Sequence, residues 1–416
     1  MTDAAVPTGP VTRSSVAKVG VATAVTAVCG YAVLYLAARD LDPAGFSIFG
    51  VFWGAFGLVS GAAFGLLQQT TREVRIGRHI GRQRDPAQRP ITRPLRVGAV
   101  VGVVAAVAIA VTAPLWSPHV FAESQLLSVI LLAVGLAGFC VHTTLLGMLA
   151  GDNHWAQYGA LMVTDAVIRV AVAVLTVAVG WGLVGFLWAT VGGAIAWLLL
   201  LIASPTTRLA AHLVAYEDTR SFLRGAGHAV AAAGASAVLV MGFPVLLKAT
   251  SGDLGSTGGV VILAVTLTRA PLLVPLTAMQ GNLIAHFVDQ RGHRVRALLA
   301  PAALVLVVGA IGVVLAWLAG PWLLRTGFGS EYIASGELLG WLTAGAVAIA
   351  LLTLTGAAAA AAALHRAYSV GWVCATVASA ALLTLPLALE TRTVVALLCG
   401  PVVGIAVHLV ALSRAH

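Results

Sequence analysis

Apolar runs of twenty residues or more recur along the whole 416-residue chain, separated by short polar or charged connections. A helix rising 1.5 Å per residue needs about 20 apolar residues to cross the hydrocarbon core of a bilayer. Read at that length, the pattern predicts spans at 16–38, 44–68, 97–117, 126–150, 158–180, 184–203, 226–249, 258–286, 297–321, 337–364, 369–389 and 394–413. The first run, Val16 to Ala38, exceeds the roughly 7–15-residue core of a signal peptide and reads as an uncleaved span. The expected fold class is an all-α integral membrane protein of about twelve transmembrane helices.

Composition excludes the soluble alternatives. The chain is 60% hydrophobic and 9% charged, with a mean hydropathy of +0.98. Soluble domains carry about 25% charged residues, so no water-facing surface can be assembled from so few. The net charge of +9 raises nucleic-acid binding, but its distribution points elsewhere. Eight of the 24 basic residues lie between Arg72 and Arg96, with no aromatic residues interleaved as single-strand binding requires. With both termini in the cytoplasm, cytoplasmic segments hold eighteen basic residues. The opposite face holds Arg39, Lys248, Arg325 and Arg392, while Arg169 and Arg269 fall within spans. That asymmetry is the positive-inside pattern of a multi-pass protein, placed here in the cell (plasma or inner) membrane. The four cysteines are scattered through apolar runs without CxxC spacing. His142, His228, His286 and His408 are isolated, and no Gly-rich turn follows a strand, so no metal, cofactor or nucleotide is expected.

A repeat emerges at half the chain length. Arg39-Asp40-Leu41, with Gly45 after it, matches Gly252-Asp253-Leu254 and Gly258 at a shift of 213 residues. The same shift carries Gln68 and Gln69 onto Gly281 and Asn282. A shift of 211 takes His154–Tyr158 to His365–Ser369. Six spans plus six that start on the same side make parallel repeats, with chance matching of small residues as the rival reading. The expected halves are residues 1–205 and 206–416. Between them, Ser204 to Gly227 is expected to hold an amphipathic helix at the cytoplasmic interface, with Leu209, Leu213 and Val214 on one face.

The run from Arg39 through Asp40-Leu41-Asp42-Pro43-Ala44-Gly45 to Phe46, leading into Phe64 to Arg72, resembles the polysaccharide-biosynthesis flippase branch of the multidrug/oligosaccharidyl-lipid/polysaccharide exporter superfamily. Leu145 to Arg169 and Ala249 to His286 carry the same resemblance, although Phe46 stands where that family usually has tyrosine. The resemblance implies two six-helix lobes around a central cavity. It also implies alternating access and transport of a polyprenyl-diphosphate-linked oligosaccharide to the outer leaflet. The implied partners are that lipid-linked substrate, membrane lipids and glycan-assembly enzymes.

Such a cargo sets the chemistry to look for: arginines for phosphates, and amides, hydroxyls and indoles for sugars. Arg269, deep in the eighth span, is the sharpest candidate. A basic residue there costs about 2.5–3.5 kcal/mol to insert and usually faces a cavity. Its rival role is bonding carbonyls freed by Pro271 and Pro275. Asp165 and Arg169, four apart in the fifth span, share a helix face and read either as a structural ion pair or as substrate contacts. Gln68, Gln69, Gln280 and Asn282 are amides for sugar or interhelical bonding, and Trp53 for stacking on a sugar or for an interfacial belt. Arg39, Asp40 and Lys248 at outer span ends read as snorkelling anchors or as an outer gate. A cation-coupled small-molecule exporter of the same superfamily would want more acidic residues in its spans than the single aspartate present. A glycan-assembly enzyme would want a large outer loop or an acidic metal-binding cluster, and only Asp40 and Asp42 approach one. No catalytic residue is expected. A non-transporting component of glycan assembly is the remaining alternative.

Overall fold

A computed structural model describes residues 13–80, 91–121, 123–279, 283, 287, 294–362 and 364–414. In the first half these form α1 (Arg13–Asp40), α2 (Pro43–Ile80), α3 (Pro94–Val120), α4 (Gln125–Gly151), α5 (Trp155–Val179) and α6 (Gly182–Gly192). A 3-10 turn at Gly193–Ile195 leads to α7 (Ala196–Ala203) and α8 (Pro205–Ala210). The second half forms α9 (Thr219–Val240), α10 (Phe243–Ser251), α11 (Gly255–Ala278), α12 (Arg294–Phe328), α13 (Gly336–Ala361), α14 (His365–Leu383) and α15 (Leu389–Arg414). Among the described residues, 12 helical stretches are long and apolar enough to cross a membrane, and the all-helical expectation holds.

The packing repeats with the sequence. In the first half α1 packs on α5, α2 and α3 on α4, and α5 on α6. Six spans later the same partners recur, α9 with α14, α11 and α12 with α13, and α14 with α15. The fourth and tenth spans, α4 and α13, are the most buried of all and occupy equivalent places.

The halves meet along α2, which lies against both α9 and α11. A row of glycines on α2 makes that approach possible. A Cβ on Gly54 would meet Pro244 at 3.1 Å, one on Gly61 would meet Ala237 at 2.6 Å, and one on Gly65 would strike the backbone of Ala229 and Val230. Small residues bring membrane helices to backbone contact, where packing and not hydrophobicity holds them together. The glycines of the second span are therefore an inter-half seam.

Four expectations are corrected. The second span does not stop near residue 68: α2 has 38 residues. At 1.5 Å per residue that is about 57 Å, so its last turns project beyond the roughly 30 Å hydrocarbon core. The sixth span is interrupted by the turn at Gly193–Ile195. The seventh starts at Thr219, because the Asp218 carboxylate caps it by accepting from the Ser221 N–H at 2.9 Å, and it breaks at Met241–Gly242. The expected amphipathic linker helix is only the six residues of α8. Beyond it the chain extends and pairs with the lead-in to α3, where Thr92 and Ala215 exchange both backbone hydrogen bonds at 2.9 Å.

Candidate transport site

Both intramembrane arginines sit at broken spans. In an unbroken α9–α10 helix the Val240 carbonyl would accept from the N–H of residue 244, but Pro244 has none. The Arg269 guanidinium, reaching over from α11, fills the vacancy: Nη1 donates to Val240 O at 3.0 Å and to Leu239 O at 3.4 Å. The carbonyls it serves thus belong to the neighbouring span, and α11 itself runs unbroken through Pro271 and Pro275. Arg169 makes a comparable contact in the first half, donating through Nη1 to the carbonyl of Thr190 just before the 3-10 turn of the sixth span. Each guanidinium also lies over an aromatic face, Arg169 over Phe56 at 5.2 Å and Arg269 over Phe243 at 5.1 Å.

The two differ in what neutralises them. Arg169 is held by Asp165 through two bonds, Nε to Oδ2 at 3.0 Å and Nη2 to Oδ1 at 3.1 Å. Gly193 is required here by space, since a Cβ would collide with the Asp165 carboxylate and meet Arg169 Nε at 2.7 Å. Among the described residues no carboxylate pairs with Arg269. Its side chain is 7% exposed, yet Nε and Nη2 have no hydrogen-bond partner. Each unmade bond of a buried donor costs about 1–3 kcal/mol, more for a charged group. Tyr31 of α1 is within electrostatic reach, which places this guanidinium where α11 of one half faces α1 of the other. Arg269 lies fourteen residues into α11, about 21 Å along its axis.

The remaining candidates separate. Gln69 is buried and donates to Glu73 Oε1 at 3.2 Å, while Gln68 is exposed. Trp53 is half-buried against Phe49, ring centroids 5.8 Å apart. Gln280 and Asn282 lie outside the described residues. Arg39 and Asp40 are exposed at the C-terminal end of α1, and the neighbouring Asp42 accepts from Gly45 N–H at 2.8 Å, which makes it a helix cap. Lys248 lines a cavity of about 660 Å³ between the N-terminal end of α2, the C-terminal end of α3 and α10, together with Ser47, His119, Glu123 and Asp253.

Two further groups stand out: His142, read from the sequence only as an isolated histidine, and Tyr332, which the sequence does not single out. His142 of α4 is buried, stacked on Phe139 at 5.2 Å with Nδ1 unpartnered, and lies within electrostatic reach of Asp165 and Arg169. Tyr332, from the loop between α12 and α13, crosses to the first half. Its hydroxyl donates to Leu41 O at 3.4 Å and its ring meets Phe46 edge-on at 6.1 Å. Burial, with the charges of Asp42 and Glu331, holds its phenol well above the ordinary range. Further along the same seam, a Cβ on Gly50 would meet Ile262 at 2.7 Å. The halves are therefore drawn together around the N-terminal end of α2.

No protein-family model matches the chain. Uncharacterized protein Rv3630 of Mycobacterium tuberculosis is 68% identical over 406 residues, covering 98% of this chain and 94% of that protein. Among solved structures, the fold is similar to the inward-facing conformation of a multidrug resistance MATE family transporter of the MOP superfamily, with a TM-score of 0.72 at 16% identity over 94% of this chain and 95% of that one. The outward-facing conformation of a transporter so described gives 0.64 at 13% identity, over 96% of each chain. The chain belongs to the family of Uncharacterized protein Rv3630, and its fold, with twelve helical stretches able to span a membrane among the described residues, is similar to that of MOP-superfamily transporters.

Proposed function

We propose that this protein flips a polyprenyl-diphosphate-linked oligosaccharide, a cell-surface or cell-wall polysaccharide precursor, from the cytoplasmic to the outer leaflet of the cell membrane. The halves, residues 1–205 and 206–416, alternate access to a site between them, with both termini in the cytoplasm. The observation that carries the reading is Arg269: a buried guanidinium that, among the described residues, has no carboxylate partner and two nitrogens, Nε and Nη2, without a hydrogen-bond partner. A planar fork with free donors is suited to an anionic phosphate oxygen. Arg169, the other arginine deep within a span among the described residues, is already neutralised by Asp165, so the net charge these two sites offer to cargo is positive. Drawn-together outer ends, and the greater similarity to an inward-facing transporter, support an arrangement open to cargo from the cytoplasm.

The test is reconstitution in proteoliposomes with a fluorescent polyprenyl-diphosphate oligosaccharide, scored by protection of the sugar from an impermeant glycosidase. Charge-assisted hydrogen bonds contribute about 1.5–3 kcal/mol, so Arg269→Ala should slow flipping by about 10- to 150-fold while inserting normally. Arg269→Lys, which keeps the charge but not the fork, should recover part of the rate. Equal rates in all three proteins would remove the diphosphate reading, and efflux of a cationic drug without lipid flipping would replace it.

A further inference from the structure

The cytoplasmic projection of α2 carries a second site, independent of Arg269. Glu73, one helical turn past Gln69, is 8% exposed. Its carboxyl lies within electrostatic reach of that of Glu217, close enough for the two to repel, and Glu217 comes from the extended segment joining the two halves. The juxtaposition is built and not incidental. Thr92 pins the segment by its backbone pairing with Ala215 and by donating Oγ1 to Glu217 O at 2.7 Å. Tyr216 packs over Gly77, where a Cβ would meet its ring at 3.1 Å. Glu217 Oε2 is buried with no hydrogen-bond partner among the described residues.

Two carboxylates that close repel when both are charged, and one proton turns their repulsion into a hydrogen bond. The neighbouring cations are engaged or turned away. On α2 itself, Arg72 approaches Glu73 Oε1 only to 3.8 Å with its side chain 70% exposed. Arg75 donates to Asn153 Oδ1 at 3.2 Å, and Arg78 pairs with Asp152 at 3.2 Å in the α4–α5 turn, where His154 also binds that carboxylate. Arg93 and Arg96 before and within α3, His212 and Asp218 in the joining segment, and Arg220 and Arg224 on α9 are exposed. No ion pair to Glu217 exists among the described residues. A metal ion fits poorly, since hard cations want six or more oxygens and here an amide N–H and a guanidinium already approach Glu73.

We propose that Glu73 and Glu217 form a proton-binding carboxyl pair that fastens the segment between the two halves to the cytoplasmic end of the second span. Loss of the shared proton releases that fastening, which makes the joint between the halves responsive to cytoplasmic pH.

The test uses the full chain in lipid nanodiscs, from about pH 4 to about pH 9. Infrared difference spectra should show a protonated-carboxyl band that disappears as pH rises and is missing from Glu73→Gln and from Glu217→Gln. Hydrogen exchange of residues 213–218, corrected for its intrinsic pH dependence, should accelerate at least about tenfold over the same interval. Glu73→Gln keeps a donor facing Glu217 at every pH, so its exchange should stay slow throughout. A titrating band unchanged by Glu217→Gln, or wild-type exchange that does not vary with pH, would overturn the proposal. The second measurement decides even if a glutamine variant folds poorly, and neither depends on cargo.

Discussion

Removing the Asp165 carboxylate is the sharpest way to ask what the fifth-span ion pair is for. The pair is bidentate, at 3.0 and 3.1 Å, with side-chain exposures of 11% for Asp165 and 13% for Arg169. An exposed i,i+4 pair contributes about 0.3–0.5 kcal/mol, and stripping one partner from a buried pair costs about 3–5 kcal/mol. Arg169 would not be left bare, because it keeps the Thr190 carbonyl and the face of Phe56. Those contacts pull the expected loss for Asp165→Ala down to about 2–3 kcal/mol, and Asp165→Asn, which still accepts one bond, to about 1–2 kcal/mol. Arg169→Leu should cost about 1–3 kcal/mol through the orphaned carbonyl. In the double variant the uncompensated charge is gone, so the two losses should fall short of adding by about 1–2 kcal/mol. The assay is detergent titration of the purified protein followed by tryptophan fluorescence, read alongside flipping. Strictly additive losses would refute the paired geometry. Abolished flipping in Asp165→Asn at unchanged stability would refute the structural role and favour the reading of Asp165 as a substrate contact.

Further predictions follow from neighbouring geometry. Gly193→Ala drives a methyl group into the Asp165–Arg169 pair and should destabilise by about 1–3 kcal/mol, visible in the same titration. Gly65→Val places bulk against the α9 backbone and should abolish flipping at normal expression, as a block of the inter-half seam; wild-type turnover would refute that seam. Tyr332→Phe deletes one neutral hydrogen bond of about 0.5–1.5 kcal/mol, so the outward-open population should rise about 2- to 12-fold, read by labelling Ser47→Cys with an impermeant thiol reagent. The neutral Tyr332 phenol is favoured in the closed form, so this contact should persist at neutral and mildly alkaline pH. It should weaken only as pH rises through the elevated titration of that phenol, and labelling that changed between about pH 6 and about pH 8 would contradict it.

What was legible in the sequence is what a bilayer demands of side chains: runs of the right length and charge confined to their ends. The twelve spans follow from that demand alone, and so does the depth of Arg269. What was hidden is what backbone groups demand of one another. Nothing in the apolar run 226–249 distinguishes Pro244, which breaks a helix, from Pro271 and Pro275, which do not, because the difference lies in whether a neighbour can serve the freed carbonyl. Glu73 and Glu217 are 144 positions apart and become one site only through the Thr92–Ala215 pairing, a single bridge with no periodic signature. Tyr332 escaped for a related reason: an aromatic residue in a short outer loop looks like a membrane-interface anchor until its partner across the halves is known.

A free carbonyl and a free guanidinium are each expensive inside a membrane, and each is the other's remedy. That reciprocity explains why both intramembrane arginines stand at interrupted spans, and it separates their roles. Arg169 uses all three of its nitrogens: Nη1 on the carbonyl, Nε and Nη2 on Asp165. Arg269 spends Nη1 alone on the seventh span and leaves the other edge of its fork unbonded. An incoming phosphate oxygen could therefore engage Nε and Nη2 without uncapping Val240, so cargo binding and the bend in the seventh span need not compete. A variant that straightens the bend, Pro244→Ala, supplies the missing N–H to Val240 and removes the reason for Nη1 to stay. On this reading it should loosen Arg269 and slow flipping even though it repairs the helix. Unimpaired flipping with a straightened seventh span would show that the bend and the guanidinium act separately.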